Sequence, residues 1–384
     1  MCLNLNFLMI AVVSAVALFL AFFYAFLVLY MRSGWEKIPS FHLNQQTFKT
    51  KVSVLIAARN EAASIHLTIE DILAQKYPKD LFEFIIVDDH STDDTSKIIS
   101  SYANQGVKLI QLNESEPLNS YKKKAISEAI KISTGELIVA TDADCRMGDL
   151  WLANVVGMYE TGNWNLISSP VVYFEEKSFF ERIQTLEFLY LMGLGAAGIG
   201  NKKPTTCNGA NLAYKKDVFF ALGGFTGIDD LASGDDELFL HKVAKAYPGT
   251  IGFCKSFDAL VYTHGKENLK AFMQQRKRWA SKTRKYDNPA FLLISVSIWV
   301  FNLSLALNFI LAFFFPVFAK LLAVQFLIKF CAEVLFLQRL TSFAKRKELL
   351  PNLVIITFIH VIYFIYIGLA GNKGKYEWKG RSVN

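Results

Sequence analysis

The alternation of apolar runs and polar clusters divides the chain into three regions. Phe7 to Tyr30 reads FLMIAVVSAVALFLAFFYAFLVLY, and no charged residue precedes Arg32. About twenty apolar residues suffice for a helix to cross a hydrocarbon core, so the pattern predicts a membrane span. A cleaved leader fits poorly: the run is too long, a basic start is missing, and no small-x-small site precedes Arg32. After Asp287 the next charge is Lys320, so Asn288 to Ala319 supplies another span, and Leu349 to Ala370 a last one. Leu321 to Leu337 is apolar but carries Lys329 and Glu333, which leaves it as either a span or an interfacial helix. Three spans and four both stand.

Between these ends, from Lys51 to about Gly252, short apolar runs alternate with helical periodicity, the signature of a layered α/β domain. Val52 to Ala57, Phe84 to Val87, Lys108 to Leu112 and Leu137 to Ala140 read as buried strands. Ala62 to Gln75, Thr95 to Ala103 and Lys122 to Ile132 read as the helices between them. In open sheets of this kind ligands sit beyond the carboxyl ends of the strands, and polar clusters follow the strands here. Val52 to Ala57 runs into Arg59, Asn60 and Glu61; Phe84 to Val87 into Asp88, Asp89, His90 and Ser91; Leu137 to Ala140 into Thr141, Asp142, Ala143 and Asp144. Massed carboxylates are costly unless a positive or hydrogen-bonding group meets them.

Composition changes the picture only in part. Hydrophobic residues make up 52% of the 384 and charged ones 20%, more apolar than an ordinary soluble protein. The length allows one substantial domain beside a membrane part. The net charge of +7 concentrates beside the apolar segments, which suits anionic headgroups better than nucleic acid, and no nucleic-acid motif occurs. Arg32 and Lys37 follow the first span; Arg276, Lys277, Arg278, Lys282, Arg284 and Lys285 precede the second. By the positive-inside rule both flanks are cytoplasmic. Lys345, Arg346 and Lys347 and the tail residues Lys373, Lys375, Lys379 and Arg381 cannot then both be cytoplasmic if Leu321 to Leu337 spans. The five cysteines have no C-x-x-C spacing, which argues against a disulfide framework or zinc site.

Four signatures, VSVLIAARNE with IIVDDHSTDDT, TDADC, SGDDELFL and QQRKRW, resemble those of family 2 glycosyltransferases, the group of the cellulose, hyaluronan and chitin synthases and ceramide glucosyltransferase. The resemblance covers roughly Lys51 to Lys285. It implies a GT-A nucleotide-sugar-binding domain, a Rossmann-like mixed α/β sheet, with transmembrane helices at both ends. Residues 1–32 then form an anchor, 50–286 a cytoplasmic catalytic domain, 287–371 two or three membrane helices and 372–384 a basic tail. The implied location is the inner or plasma membrane, multi-pass.

Residue by residue, the resemblance implies that Asp88 and Asp89 bind the nucleotide, with Arg59 and Glu61 lining the same cleft. The run from Asp88 to Thr95 is equally a helix N-cap, with Asp93 or Thr92 as the cap. Asp144 and Asp142 form the D-x-D element: Asp144 ligates Mg²⁺ or Mn²⁺, and Asp142 touches ribose or metal. Lys122 meets phosphate oxygens near a helix N-terminus, although Tyr121 stands where the family has Gly, and Lys123 or Lys124 are alternatives. Asp236 is the base that takes the acceptor's proton during inverting transfer; its segment also reads as a helix start favoured by the dipole. Asp235, Gln275, Arg278 and Trp279 face acceptor and diphosphate, Arg suiting bidentate phosphate binding; the bland reading of that segment is a membrane-interface belt. Thr206 to Asn211 with Gly223, Gly224 and Phe225 resembles an acceptor-side loop, or a plain turn. Ser178 to Leu194 reads either as a helix on the membrane surface or as a core helix.

The expected function is inverting transfer from a UDP-sugar to a membrane lipid or a growing polysaccharide, with membrane lipids and partner subunits of an export system as the partners implied. An inactive scaffold subunit is the alternative. All four signatures keep their reactive residue types, which argues against it.

Overall fold

Runs such as Val52–Ala58, buried along nearly its whole length, are what a parallel strand covered on both faces requires. In the computed structural model, which describes residues 2–44, 47–113, 120–231, 233–282, 289–370, 376–378 and 381–383, they build a mixed sheet. Strands β1 (Val52–Ala58), β2 (Phe82–Asp88), β3 (Val107–Gln111) and β4 (Leu137–Asp142) are parallel. Helices α2 (Ile65–Leu73), α3 (Thr95–Ser101) and α4 (Tyr121–Ile132) connect them, and α1 is the preceding helix Cys2–Lys37. After the short strand β5 (Arg146–Met147) and helix α5 (Trp151–Glu160), β6 (Leu166–Ser168), β8 (Leu212–Lys215) and β9 (Ile251–Phe253) extend the sheet in the order β3-β2-β1-β4-β8-β6-β9. Strand β8 runs antiparallel to β4 and β6. Strands β7 (Val171–Tyr173) and β10 (Val261–Thr263) join β5 in a three-stranded sheet.

Two strands run further than the hydrophobic pattern predicts, and pairing is the reason. Asp88 pairs with Ala58, and Asp142 with Ala57, so the acids belong to the strands and stand on either side of the end of β1. Helix α2 starts later than Ala62, because the N–H groups of Glu61 and Ala62 are taken by Thr95 Oγ1 (2.8 Å) and Asp93 Oδ2 (3.1 Å).

Helix α6 (Phe179–Gly200) extends past the predicted Leu194. It is long and apolar enough to cross a membrane, yet 61% of its apolar window is buried, which favours the core-helix reading. Its glycines allow close backbone approach: a Cβ at Gly200 would stand 2.0 Å from the carbonyl oxygen of Gly34.

The chain divides into two units, Gly34–Glu267 with Lys375–Asn384, and Met1–Ser33 with Asn268–Gly374. The first holds these two sheets and the two-stranded pair β11 (Tyr376–Trp378) and β12 (Arg381–Val383), with α2 to α6, α7 (Lys216–Ala221) and α8 (Glu237–Ala246). The second consists of most of α1 with α9 (Leu269–Ser281), α10 (Pro289–Leu311), α11 (Pro316–Phe343) and α12 (Leu353–Ala370). Segment 321–337 lies inside the single helix α11, which with α1, α10 and α12 is long and apolar enough to span a membrane. Its Lys329 and Glu333 are buried and paired with each other, Tyr24 Oη donates to Glu333 at 2.5 Å, and Thr357 Oγ1 donates to it at 3.4 Å. Gln325 makes a second polar layer, donating to the carbonyl of Ala17 at 3.0 Å and accepting from Asn308 at 2.7 Å. Buried polar groups in an apolar bundle persist where they find such partners. Arg284, Lys285, Lys373, Lys375 and Lys379 lie outside the described residues.

Candidate active site

The first wall of the site is two interlocked turns beyond β1 and β2. Asn60 and His90 adopt left-handed backbone, φ 51° and 54°, a strain that non-glycine residues hold only when surroundings fix them. Asn60 Oδ1 accepts from Thr92 N at 2.8 Å, and Ser91 Oγ accepts from Asn60 N at 2.9 Å. Arg59 crosses from one turn to the other, donating to the carbonyls of Asp89 (2.7 Å) and His90 (2.9 Å). Asp88 and Asp89 are buried; Asp88 accepts from Ser91 N at 3.3 Å, and Asp89 lies 3.0 Å from His90 Nδ1. Glu61 accepts from Ser64 Oγ at 3.2 Å. The N-cap position of α3 is Asp94, not Asp93 or Thr92, and its side chain makes no cap bond; Asp93, one residue earlier, accepts from Thr95 N at 3.0 Å and from Ala62 N. Burial opposes its ionisation, but these hydrogen bonds win and hold its pKa below the usual carboxylate value.

The D-x-D turn follows β4 and is braced from α2. Thr68 Oγ1 lies 2.9 Å from the carbonyl of Ala143 and 2.8 Å from that of Cys145, and Asp71 takes Arg146 in a two-point ion pair at 2.6 and 2.9 Å. Donor atoms of Asp142, Asp144 and Cys145 all lie within 4.8 Å of one another. Two carboxylates this close suit a hard divalent cation. Burial, then the charges of Asp144 and Asp142, push the Cys145 thiol well up, and a soft sulfur is a poor match for Mg²⁺ or Mn²⁺. The oxygen pair fits such an ion; the thiol packs.

Lys122 joins this turn to the third acidic stretch. Its Nζ lies 2.7 Å from Asp142 Oδ1 and 3.3 Å from Asp235 Oδ2. Burial alone would lower its pKa, but Asp142 and Asp235 prevail and raise it well above the ordinary lysine value, so the ammonium keeps its charge. Of the three consecutive lysines, Lys122 is the one placed on these acids by the distances above. Lys124 pairs with Glu128 at 2.9 Å, and Lys123 is turned into the loop before Asp235.

Asp236 is itself the N-cap of α8, with Oδ1 accepting from Glu237 N at 2.7 Å and Oδ2 from Gly209 N at 3.0 Å. The helix-start reading and a chemical role are therefore compatible. Sequence reasoning gave Gly209 only the part of a small residue in an acceptor loop, and missed its N–H on Asp236. Nothing local could have signalled a contact across 27 positions. Asn211 in the same loop is structural, accepting from Trp151 Nε1 at 2.9 Å and donating to the carbonyls of Pro170 and Ala259.

Gln275, Arg278 and Trp279 lie on α9 and belong to the helical unit. There the neighbouring Arg276 is buried, its guanidinium 4.5 Å from the ring centre of Phe272 and 4.3 Å from that of Trp279.

Residues 53–223 match the family model described as glycosyl transferase family 2. The probable glycosyltransferase YdaM of Bacillus subtilis is 27% identical over 260 residues, 64% of this chain and 58% of that protein. A beta-monoglucosyldiacylglycerol synthase of Nostoc sp. is 33% identical over 109 residues, 28% of this chain and 23% of that protein. The chain thus spans less than two thirds of the length of either relative. In fold, it is similar to the mannosyltransferase PcManGT of Pyrobaculum calidifontis, solved with GDP-Man and Mn²⁺: TM-score 0.61 and 21% identity over 90% of this chain and 99% of that one. The architecture is GT-A-like.

Proposed function

This chain carries a glycosyl transferase family 2 domain, and from that premise we propose that it is an inverting glycosyltransferase acting on a nucleoside-diphosphate sugar and a membrane-borne acceptor. The observation that carries the reading is the Lys122 bridge, which brings Asp142 and the Asp235–Asp236 pair to one place. Asp88 and Asp89 hold the nucleotide end, with Arg59 and Glu61 fixing the turn around them. Asp144 and Asp142 would hold a divalent ion, which when bound would offset negative charge on the departing diphosphate. Lys122 is placed to exchange part of its pairing with Asp142 for a phosphate oxygen. Asp236, its two oxygens oriented by Gly209 N and Glu237 N, receives the proton of the acceptor hydroxyl as that oxygen attacks the anomeric carbon opposite the leaving group. Gln275, Arg278 and Trp279 serve diphosphate and acceptor.

The membrane part supports a lipid-associated acceptor. Helices α1, α10, α11 and α12 expose large apolar side chains, Phe19, Phe22, Leu293, Leu327 and Ile362 among them, on the scale expected of lipid-facing surface. We take these four as the spans and α6 as part of the domain, which puts Lys345–Lys347 on the domain's side of the membrane; Lys375–Asn384 groups with the domain, against the outside location that four spans imply for the tail. Four helices offer little wall for a polymer channel, so a single lipid acceptor is favoured over a threaded polysaccharide. The beta-monoglucosyldiacylglycerol synthase among the relatives agrees with that choice.

The test is to purify the full chain in detergent and supply UDP-sugars and GDP-mannose with Mg²⁺ or Mn²⁺, with and without membrane lipid. Sugar-dependent nucleotide release that needs both the ion and lipid is expected, and Asp144→Asn should remove the response to the ion. Release that is indifferent to metal and lipid would overturn the reading.

A further inference from the structure

Lys123 is buried to 2% exposure, and its ammonium turns to backbone carbonyls. Its Nζ lies 2.5 Å from the carbonyl oxygen of Ile228, 2.8 Å from that of Leu231 and 2.9 Å from that of Ser233. An ammonium has three N–H donors and no acceptor, so these carbonyls use it completely. A charge withdrawn from water in this way is tolerable only when so satisfied. Asp235, Asp236, Asp230 and Asp229 add attraction from around it, opposing the burial that lowers its pKa.

The three carbonyls belong to the segment that leads into Gly234, Asp235 and Asp236. Gly227 and Gly234 flank it with φ of 82° and 85°, where a side chain would be strained. Lys242 holds the upstream side, donating to the carbonyls of Gly224 at 2.7 Å and Thr226 at 3.1 Å. The path of this loop is therefore set by ammonium groups gathering carbonyl dipoles rather than by strand or helix pairing.

We propose that Lys123 is a positioning residue: by gathering the carbonyls of Ile228, Leu231 and Ser233 it fixes the approach of the chain to Asp236, and so the placement of that carboxylate against Gly209. This rests on the reading of Asp236 as the base. Without the ammonium the three carbonyl oxygens face one another beside four carboxylates, and the loop opens to reach water. The turns at Asp88 and Asp144 have their own braces, Arg59 and Thr68, and are left in place. The loss falls on turnover and not on donor binding.

The experiment uses the full chain in detergent, with Lys123→Met and the milder Lys123→Gln, which keeps two N–H donors on a side chain one bond shorter. Three quantities are read: kcat, donor affinity by calorimetry, and backbone hydrogen exchange over residues 228–236. The expected result is kcat lower by about 100-fold in Lys123→Met and about 10-fold in Lys123→Gln, donor Kd within about threefold of wild type, and faster exchange across the segment. Lys123→Gln carries the test alone if Lys123→Met does not fold. Unchanged exchange, or kcat and donor affinity falling together, overturns the positioning role. Faster exchange with wild-type kcat also overturns the positioning role, whereas wild-type turnover in Asp236→Asn overturns the base assignment on which it rests.

Discussion

At the scale of single residues, the site is governed by how few atoms hold each carboxylate. Gly209 is the sharpest case. A Cβ added there would stand 3.3 Å from Asp236 Cβ and 3.4 Å from Asp235 Oδ2, so Gly209→Ala must push the acidic pair aside by a few tenths of an ångström. Misplacement on this scale costs about 10-fold in rate, and steady-state kinetics should show it in kcat with the donor KM unchanged. Lys122→Met acts differently, because it leaves Asp142 and Asp235 without their shared counter-charge. Donor KM should rise and kcat/KM fall by about 100-fold, in line with the loss of a charge-assisted phosphate contact. As candidates, Asp88, Asp89, Asp142 and Asp144 were legible in the sequence because they end or follow apolar strands, and Lys122 and the Asp235–Asp236 pair because their motifs resemble the family's. Gly209, Thr68 and Lys123 were not, since each of their contacts has on one side a backbone atom that any residue could supply.

At the scale of elements, the strands were legible to within a few residues because a doubly covered parallel sheet needs unbroken apolar runs. Their ends were not, because pairing with Ala57 and Ala58 carries Asp142 and Asp88 into the ladder. One buried acid ties the elements together below the site. Glu83 on β2 accepts from Ser53 Oγ of β1 at 2.5 Å, from Thr134 N at 2.8 Å and from Lys108 of β3 at 2.7 Å. Burial would raise its pKa, but Lys108, Ser53 and Thr134 together lower it. A carboxylate whose folded pKa is depressed contributes stability that is present above its unfolded value and lost as pH falls through the folded one. Glu83→Gln should therefore cost about 1–3 kcal/mol at neutral pH, and the difference from wild type should shrink in thermal melts taken below about pH 4.

At the scale of the whole molecule, the sequence left the number of spans open because Lys329 and Glu333 are expensive in a bilayer. The structure supplies the missing term: the pair is buried among Tyr24 of α1 and Thr357 of α12, partners that hydropathy does not register. Removing one member leaves a buried charge, so Glu333→Leu alone should cost about 3–5 kcal/mol, while Lys329→Met with Glu333→Leu together should recover most of it. Melting curves in detergent decide between these. Four spans also predict that a cysteine placed beside Asn384 is labelled from outside intact cells; labelling from inside supports three. Division of the chain into a sheet-containing unit and a helical unit was likewise only partly legible, because α9, which carries Gln275, Arg278 and Trp279, is polar in sequence yet belongs with the helices.

The central claim is that Asp236 takes the proton of the acceptor. Its most direct measurement is transfer by Asp236→Asn in the full-length protein, alongside donor binding by calorimetry in the presence of Mn²⁺. Asparagine is nearly isosteric but cannot accept a proton at neutral pH, so turnover should fall by at least about 1,000-fold while donor affinity stays within about threefold. Wild-type turnover in that variant would contradict the account.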